Sequence, residues 1–451
     1  MVVEAWLARA AAARPRSIAL DTPAGSATYA QLLASATVAA GDLRARGAGA
    51  GERVAIALPA GLDFARALHA CMLLGAVAVP VDLRLAASER ARVADGAAVV
   101  VEQPLRGDGV GEDAGERETL APLPAPPRHD LEATAVVIHT SGTSSAPKPV
   151  ELTYGNLLWS ALGSAVALGL DPGERWLCAL PLSHIGGLSI LVRSAIYATT
   201  AVVHERFENE RVLQALREQQ VTLVSLVATT LARLLDAGLA HPPALRAALT
   251  GGGPVPAGLV RRAHVAGVPV SLSYGLTETS SQVTTTPVAA LAGGDMAAGR
   301  PLFCTRVRCQ DDGEIVVAGP TVAPGALAPD GWLHTGDLGA YDERGRLRVT
   351  GRKADTIVSG GENVAPGEVE AVLEAHPDVL EAAVVAVPDE RWGEAVTAIV
   401  VARRGAAPDG EALRAHCAAA LAPYKVPKRV LLRGDPLPRT RSGKLLRREL
   451  R

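Results

Sequence analysis

Between His139 and Thr153 the chain reads HTSGTSSAPKPVELT, a run of Ser, Thr and Gly closed by Lys148, directly after the apolar segment Ala135-Val-Val-Ile138. A strand that empties into such a loop is suited to holding phosphate. Successive backbone N–H groups form an anion-binding concavity, hydroxyls add donors, and the lysine supplies charge. The G-x-x-x-x-G-K-[ST] spacing of the Walker loop is absent. Taken alone, the stretch is ambiguous, since an ordinary polar surface loop also fits it.

The surroundings narrow the choice. Residues 6–13, 29–46 and 62–74 read as helices, and residues 54–58 and 77–81 as strands. Alternation of this kind predicts a parallel sheet flanked by helices. Residues 103–130, rich in Gly, Pro, Glu and Arg, read as a loop. A helix is expected from Thr153 as its N-cap, then a strand over 221–227 and a helix over 230–239. From 307 to 350 the texture changes to short strands, such as 314–318 and 346–350, separated by Gly and Asp turns. Beyond Gly351-Arg-Lys-Ala-Asp355 a compact α+β unit follows, with a helix opened by Pro366, a strand over 382–387 and a helix over 411–421. At 451 residues two or three domains are expected.

Composition excludes several classes. Apolar residues at 48% and charged residues at 20% describe a folded chain. Aromatics at 3% mean that the cores are built from small side chains. A net charge of −2 gives no general attraction to nucleic acid or anionic membrane. Cys71, Cys178, Cys304, Cys309 and Cys417 are scattered with no C-x-x-C, as expected of free thiols in a reducing cytoplasm. The N-terminal stretch carries Glu4 and has no long apolar core, so it does not read as a secretory signal. The longest apolar run, residues 70–81, is broken by Gly75 and Pro80 and is too short to insert into a membrane.

Six motifs, in order and covering essentially the whole chain, resemble those of the adenylate-forming superfamily of acyl- and aryl-CoA ligases, peptide-synthetase adenylation domains and firefly luciferase. Thr140-Ser141-Gly142-Thr143-Ser144, with Pro147-Lys148, is similar to its T-S-G-T-x-x-x-P-K phosphate loop. Gly251-Gly252-Gly253 looks like the glycine turn beside adenine and the acyl group. Ser273-Tyr274-Gly275-Leu276-Thr277-Glu278 contains Y-G-x-T-E, in which the ring packs on adenine, the Thr meets phosphate and the Glu holds magnesium. A carboxylate near a triphosphate is repelled unless a cation lies between them, which agrees with that role for Glu278. Asp337 of the T-G-D motif would take the ribose hydroxyls, and Arg352 would bridge ribose and phosphate. Lys444, in P-x-T-x-S-G-K, would join carboxylate and α-phosphate oxygens.

The resemblance implies an α/β fold: a large N-terminal domain of two helix-flanked sheets with a β-rich subdomain, residues 1–353, and a small mobile α+β domain, residues 354–451. The hinge falls on Ala354. Gly360, Gly361 and Glu362 would form the thiolation loop along the pantetheine of coenzyme A. The implied chemistry is carboxylate adenylation by ATP with Mg2+, then transfer to CoA, with Lys444, His184, Glu278 and Thr277 as the catalytic set. The sequence departs from the family at Ser145 and Pro149, where glycine is usual; Ser145 loses cheap access to positive φ and Pro149 loses a donor.

The substrate clue is Leu180-Pro-Leu-Ser-His184 onward. His184 stands where amino-acid-activating relatives place an Asp, as in aryl- and acyl-CoA ligases, although Ser183 replaces the commoner aromatic. Together with residues 277–282, the stretch is similar to the branch of the family that activates o-succinylbenzoate, a dianion. Arg193, nine residues after His184, is a fitting bidentate partner for a second carboxylate; the plainer reading is a surface arginine on an amphipathic helix. His184 also fits a core histidine. Gly251 and Leu276 would line the acyl site, and Ser281 and Gln282 either reach substrate or cap the following segment. Another aryl- or acyl-CoA ligase, or a stand-alone module loading a carrier protein, shares most of these features. The expected partners are a small-molecule carboxylate, ATP and CoA, without nucleic acid; homo-oligomerisation is left open.

Overall fold

The computed structural model describes residues 1–106, 127–140, 148–293, 296–439 and 445–450. Two sheets share the largest core. One runs, in spatial order, Arg300–Pro301, Thr284–Thr285, Val270–Tyr274, Ala247–Thr250, Leu223–Leu226, Arg175–Cys178, Thr200–Val203, Ile18–Thr22 and Gly25–Thr28. From Val270–Tyr274 to Ile18–Thr22 every pairing is parallel. The other runs Val99–Val101, Arg53–Ile56, Val77–Pro80, Thr134–Thr140 and Lys148–Thr153, with only the last pair antiparallel.

The scarcity of aromatics decides how these layers pack. Ala36, Ala39 and Ala40 of helix Tyr29–Ala45 and Ala65 and Ala67 of helix Leu62–Leu74 are all fully buried in the same cluster. Small side chains let the two helices approach closely, and Leu, Val and Ile fill the rest at crystal-like density. Local signals set the ends. Thr28 and Gln31 form a reciprocal capping box, as do Thr153 and Asn156, which bears out the expected N-cap at Thr153. Each such cap contributes about 1 kcal/mol. Helix Leu62–Leu74 stops at Gly75, whose left-handed φ of 75° closes it.

A third sheet, Arg306–Cys309, Glu314–Ala318, Leu333–Tyr341 and Leu347–Arg352, is antiparallel throughout and is the expected β-rich part. The fourth comprises Glu362–Val364, Ile357–Ser359, Gly393–Ala402 and Val379–Asp389, with Arg429–Arg433 parallel to Gly393–Ala402. Two buried clusters against this sheet draw only on residues from Ile357 onward, and the other four only on residues up to Leu347.

Residues 128–130, expected in a loop, form strand Arg128–Asp130 against Val2–Glu4. The polar pattern hid it because the strand is short and only His129 points inward. Helix Ala228–Asp236 starts two residues before its expected position and stops three earlier. The five cysteines are free. Among the described residues no helix is long and apolar enough to cross a membrane.

Candidate active site

Thr140 and Lys148 are paired neighbours on the antiparallel strands Thr134–Thr140 and Lys148–Thr153, and the Thr140 hydroxyl donates to the Lys148 carbonyl at 3.2 Å. The two ends of the segment expected to hold phosphate are thus set side by side, with the Lys148 side chain exposed. Ser141, Gly142, Thr143 and Ser144 lie outside the described residues, and so does Lys444.

The segment from Ser273 to Gln282 is a tight knot. It leaves strand Val270–Tyr274, makes a 3-10 turn over Thr277–Thr279, and then holds Ser280 and Ser281 at φ 55° and 100°. Two consecutive non-glycine residues in left-handed backbone cost on the order of 1–3 kcal/mol each, and such strain is typical of functional sites. Gly275 is obligatory there, since a Cβ would lie 1.6 Å from the Ser281 carbonyl oxygen. The knot is pinned from outside: Ala323 N–H donates to the Glu278 carbonyl at 2.8 Å, and the Ser280 hydroxyl donates to the Thr321 carbonyl at 2.9 Å.

Three expected nucleotide residues converge beside it. The Tyr274 hydroxyl donates to Asp337 Oδ2 at 2.9 Å, and Arg352 Nε lies 2.7 Å from Asp337 Oδ1. Burial and the neighbouring Asp337 carboxylate raise the Tyr274 pKa, so its hydroxyl stays a donor. Asp337 is buried while Arg352 remains partly exposed, which leaves a guanidinium edge for a polar ligand. Gly251 faces Ser273 so closely that a Cβ would meet its hydroxyl oxygen at 2.6 Å, and Gly252 and Gly253 carry the turn onward from strand Ala247–Thr250. Thr277, Glu278 and Leu276 are half-buried. Among the described residues the Glu278 carboxylate has no ion-pair or hydrogen-bond partner. A half-shielded, unpaired carboxylate fits a magnesium ligand, and no group of three His, Cys, Asp or Glu among the described residues forms a metal cage of its own.

His184 is the N-cap residue of helix Ile185–Tyr197 and is not a core histidine, its side chain being 44% exposed. Sequence reasoning missed its company. Asp82 and Arg84, from the segment after strand Val77–Pro80, form an ion pair; Arg84 Nη2 donates to His184 Nε2 at 3.3 Å, and Asp82 Oδ2 is 4.0 Å from it. Burial and the Arg84 charge hold the imidazole pKa below its usual range. The neutral ring, accepting at Nε2, therefore carries its proton on Nδ1. Asp-Leu-Arg at 82–84 offered no periodicity that could have flagged it.

Arg193 is not the surface arginine of the plainer reading. It is 2% exposed, with Nη2 3.1 Å from the Ser160 hydroxyl and its guanidinium 5.5 Å from the Trp176 ring centre. Ser160 in turn donates to the Ser280 carbonyl at 2.6 Å, so Arg193 is linked to the strained knot. Its Nε has no partner, and among the described residues no carboxylate pairs with it. Of the two residues with alternative readings, Gln282 turns inward and donates to Thr285 Oγ1 at 2.7 Å, leaving its buried Oε1 unpaired; Ser281 takes the strained φ described above.

Gly360 and Gly361, both at positive φ (63° and 85°), make the two-residue turn joining strands Ile357–Ser359 and Glu362–Val364. The turn is tied to its own unit by Gly360 N–H donating to the Trp392 carbonyl at 2.8 Å. Glu362 is exposed, and Ala354 lies in the 3-10 turn Lys353–Asp355.

Known proteins match this arrangement over its length. A family model described as AMP-binding enzyme matches residues 7–327, and one described as AMP-binding enzyme C-terminal domain matches residues 368–444. The 2-succinylbenzoate–CoA ligase of Bacillus licheniformis is 39% identical over 99% of this chain and 98% of its own length. That of Bacillus subtilis is 37% identical over 99% and 97%. The solved o-succinylbenzoate CoA synthetase of Bacillus subtilis in complex with its acyl-adenylate intermediate superposes with a TM-score of 0.87 at 36% identity, covering 100% of this chain and 98% of that one. The same enzyme with ATP and magnesium ion gives 0.86 at 35% identity, with full coverage of both.

Proposed function

The chain belongs to the AMP-binding enzyme family, and from that premise we propose that it is an AMP-forming acid–thiol ligase that joins o-succinylbenzoate to coenzyme A, a step of menaquinone biosynthesis. The observation that carries the choice of acid is Arg193. A guanidinium removed from water, with one hydrogen bond to a neutral hydroxyl and no carboxylate among the described residues, is costly unless an anion reaches it. A monoacid has only the carboxylate that reacts. A dicarboxylate brings a second one, which supplies the missing charge at the far end of helix Ile185–Tyr197.

Residues 1–353 act as the domain that binds ATP and the acid, and residues 354–451 as the domain that moves. Tyr274 packs on adenine, Asp337 and Arg352 take the ribose, and Thr140, Lys148 and Thr277 meet phosphate together with residues 141–144. Glu278 is the magnesium ligand; the ion offsets the charge of the departing pyrophosphate. In the first step a carboxylate oxygen of the acid bonds to the α-phosphorus and the bond to pyrophosphate breaks. Lys444 neutralises the oxygens where charge accumulates. In the second step the CoA thiolate bonds to the acyl carbonyl and AMP leaves. The Gly360–Gly361 turn and Glu362 guide the thiol in, and rotation at Ala354 exchanges Lys444 for that turn. His184, held neutral by burial and by the Arg84 charge, flanks the acyl group. Both cosubstrates are metabolites of the cell interior, so the reading places the enzyme in the cytoplasm.

The test is pyrophosphate release across a panel of carboxylates, with and without CoA. O-succinylbenzoate should be the best substrate, with CoA required for AMP release at full rate. Equal rates with simple aryl or fatty acids would reassign the enzyme to another acyl-CoA ligase, and turnover only with a carrier protein would make it a loading module.

A further inference from the structure

Ala354 is bracketed by two residues tied in opposite directions. Lys353 Nζ lies 2.7 Å from Asp312 Oδ2 and 3.0 Å from Glu314 Oε2. Both acids belong to the β-rich sheet: Asp312 in the turn before strand Glu314–Ala318, where it accepts the Glu314 N–H at 3.0 Å, and Glu314 buried at the strand's first position. Glu314 is itself fixed by the Gly336 N–H at 3.1 Å. The preceding residue, Arg352, ends strand Leu347–Arg352 opposite Asp337. On the other side, Asp355 Oδ2 is 3.2 Å from Arg447 Nη1, while Arg447 Nη2 lies 2.7 Å from each Glu370 oxygen on helix Pro366–Glu374. One neighbour is thus fastened to the large unit, the other to the small one.

We propose that Lys353 and Asp355 are positioning residues that confine the domain rotation to the single residue Ala354, Lys353 by anchoring to Asp312 and Glu314 and Asp355 by anchoring to Arg447. This inference rests on reading residue 354 as the pivot between the two catalytic steps. A rotation spread over several loose residues has many end points. A rotation held between two anchors has few, so the small unit returns to the same two orientations each cycle. Arg447 follows Lys444 by three residues, so the anchor on the small-unit side is also close in sequence to the lysine read as catalytic.

The experiment compares Lys353→Met, Lys353→Arg and Ala354→Pro in the full-length enzyme, timing acyl-adenylate formation and thioester formation separately. Lys353→Met should lower the maximal rate of both half-reactions about fivefold while leaving the KM for ATP unchanged, and Lys353→Arg should restore both. Disturbance of Arg352 would instead raise the KM for ATP, and that outcome overturns the proposal. So does a Lys353→Met enzyme whose half-reactions both match the wild type. Ala354→Pro separates the two claims. If it blocks thioester formation while Lys353→Met is silent, the pivot stands and the anchors fall. If it leaves thioester formation intact, the pivot reading fails first.

Discussion

Arg193 and Arg447 are both shielded from water, and the molecule treats them in opposite ways. Arg447 holds two carboxylates, Asp355 and Glu370, one of them through both oxygens. Arg193, more deeply buried, has a serine hydroxyl and an indole face but no carboxylate among the described residues; the Nε of each arginine is left without a partner. A paired buried charge is a joint: its partners come from the chain and its job ends there. An unpaired one is unfinished, and what completes it must come from outside. Both are largely out of water, Arg193 more completely; it is the partners that separate their roles.

The sharpest way to break this comparison is Arg193→Ala. If the guanidinium meets the ring carboxylate of o-succinylbenzoate, kcat/KM for that acid should fall about 30-fold to several thousand-fold, equivalent to about 2–5 kcal/mol, with little change for ATP. An analogue lacking the ring carboxylate should be poor for the wild type and no worse for the variant. Equal rates for analogue and dianion with the wild type would remove the role. Arg193→Met should meanwhile hold or raise the apo Tm, because one hydrogen bond to a neutral hydroxyl does not offset the cost of burying the charge.

Acid and base should divide the two units next. His69 is wholly inside the large unit, and burial pushes its pKa down to about 4. His129, stacked 4.3 Å from Tyr154, is pushed down to about 3 by burial and then by His69. Both folded values lie below the unfolded one of about 6.5, so the unfolded chain takes up protons that the folded chain refuses. Stability of the large unit is complete above pH 6.5 and is lost as pH falls, by about 2 kcal/mol per histidine at pH 5. In the small unit, burial raises Glu374 to about 7. There the folded state keeps a proton that the unfolded chain releases near 4.5, so its contribution is full below 4.5 and lost as pH rises to 7, on the order of 2 kcal/mol for a partly exposed group. Trp392, the one tryptophan beyond residue 353, reports the small unit. Unfolding curves at pH 5 and 7.5 should shift in opposite directions for the two units, and Glu374→Gln should flatten the Trp392 curve alone. Parallel shifts would refute the assignment.

The smallest effect is expected at the paired arginine. Arg447→Met strands Glu370 and Asp355 in partly buried surroundings and should destabilise the small unit by about 1–3 kcal/mol, read again from Trp392. A neutral result would mean that the joint serves position only.

Where the sequence carried a local signal, it was legible. Helix Leu62–Leu74 lies between glycines and matched residue for residue, and Thr153 announced its capping box. The central strands Arg175–Cys178 and Ala247–Thr250 drew no attention, because buried parallel strands of four residues lack alternation and cannot be told from a stretch of buried helix. The site divides the same way. Tyr274, Asp337 and Arg352 were found by motif, and the structure brings them together. The grip of Asp82 and Arg84 on His184, and of Asp312 and Glu314 on Lys353, depends on chain crossings that no window of sequence contains.

The ion pairs of Lys353 and Asp355 also differ in the order in which a growing chain can make them. Lys353 looks back 41 and 39 residues to Asp312 and Glu314, which have already left the ribosome when it emerges. Asp355 must wait 92 residues for Arg447. Domains fold as units from the N-terminal side during synthesis, so the Lys353 contacts are set early on a finished sheet and the Asp355 contact closes last. The stretch matched by the AMP-binding enzyme model is therefore complete before Asp355 is tied to the end of the chain.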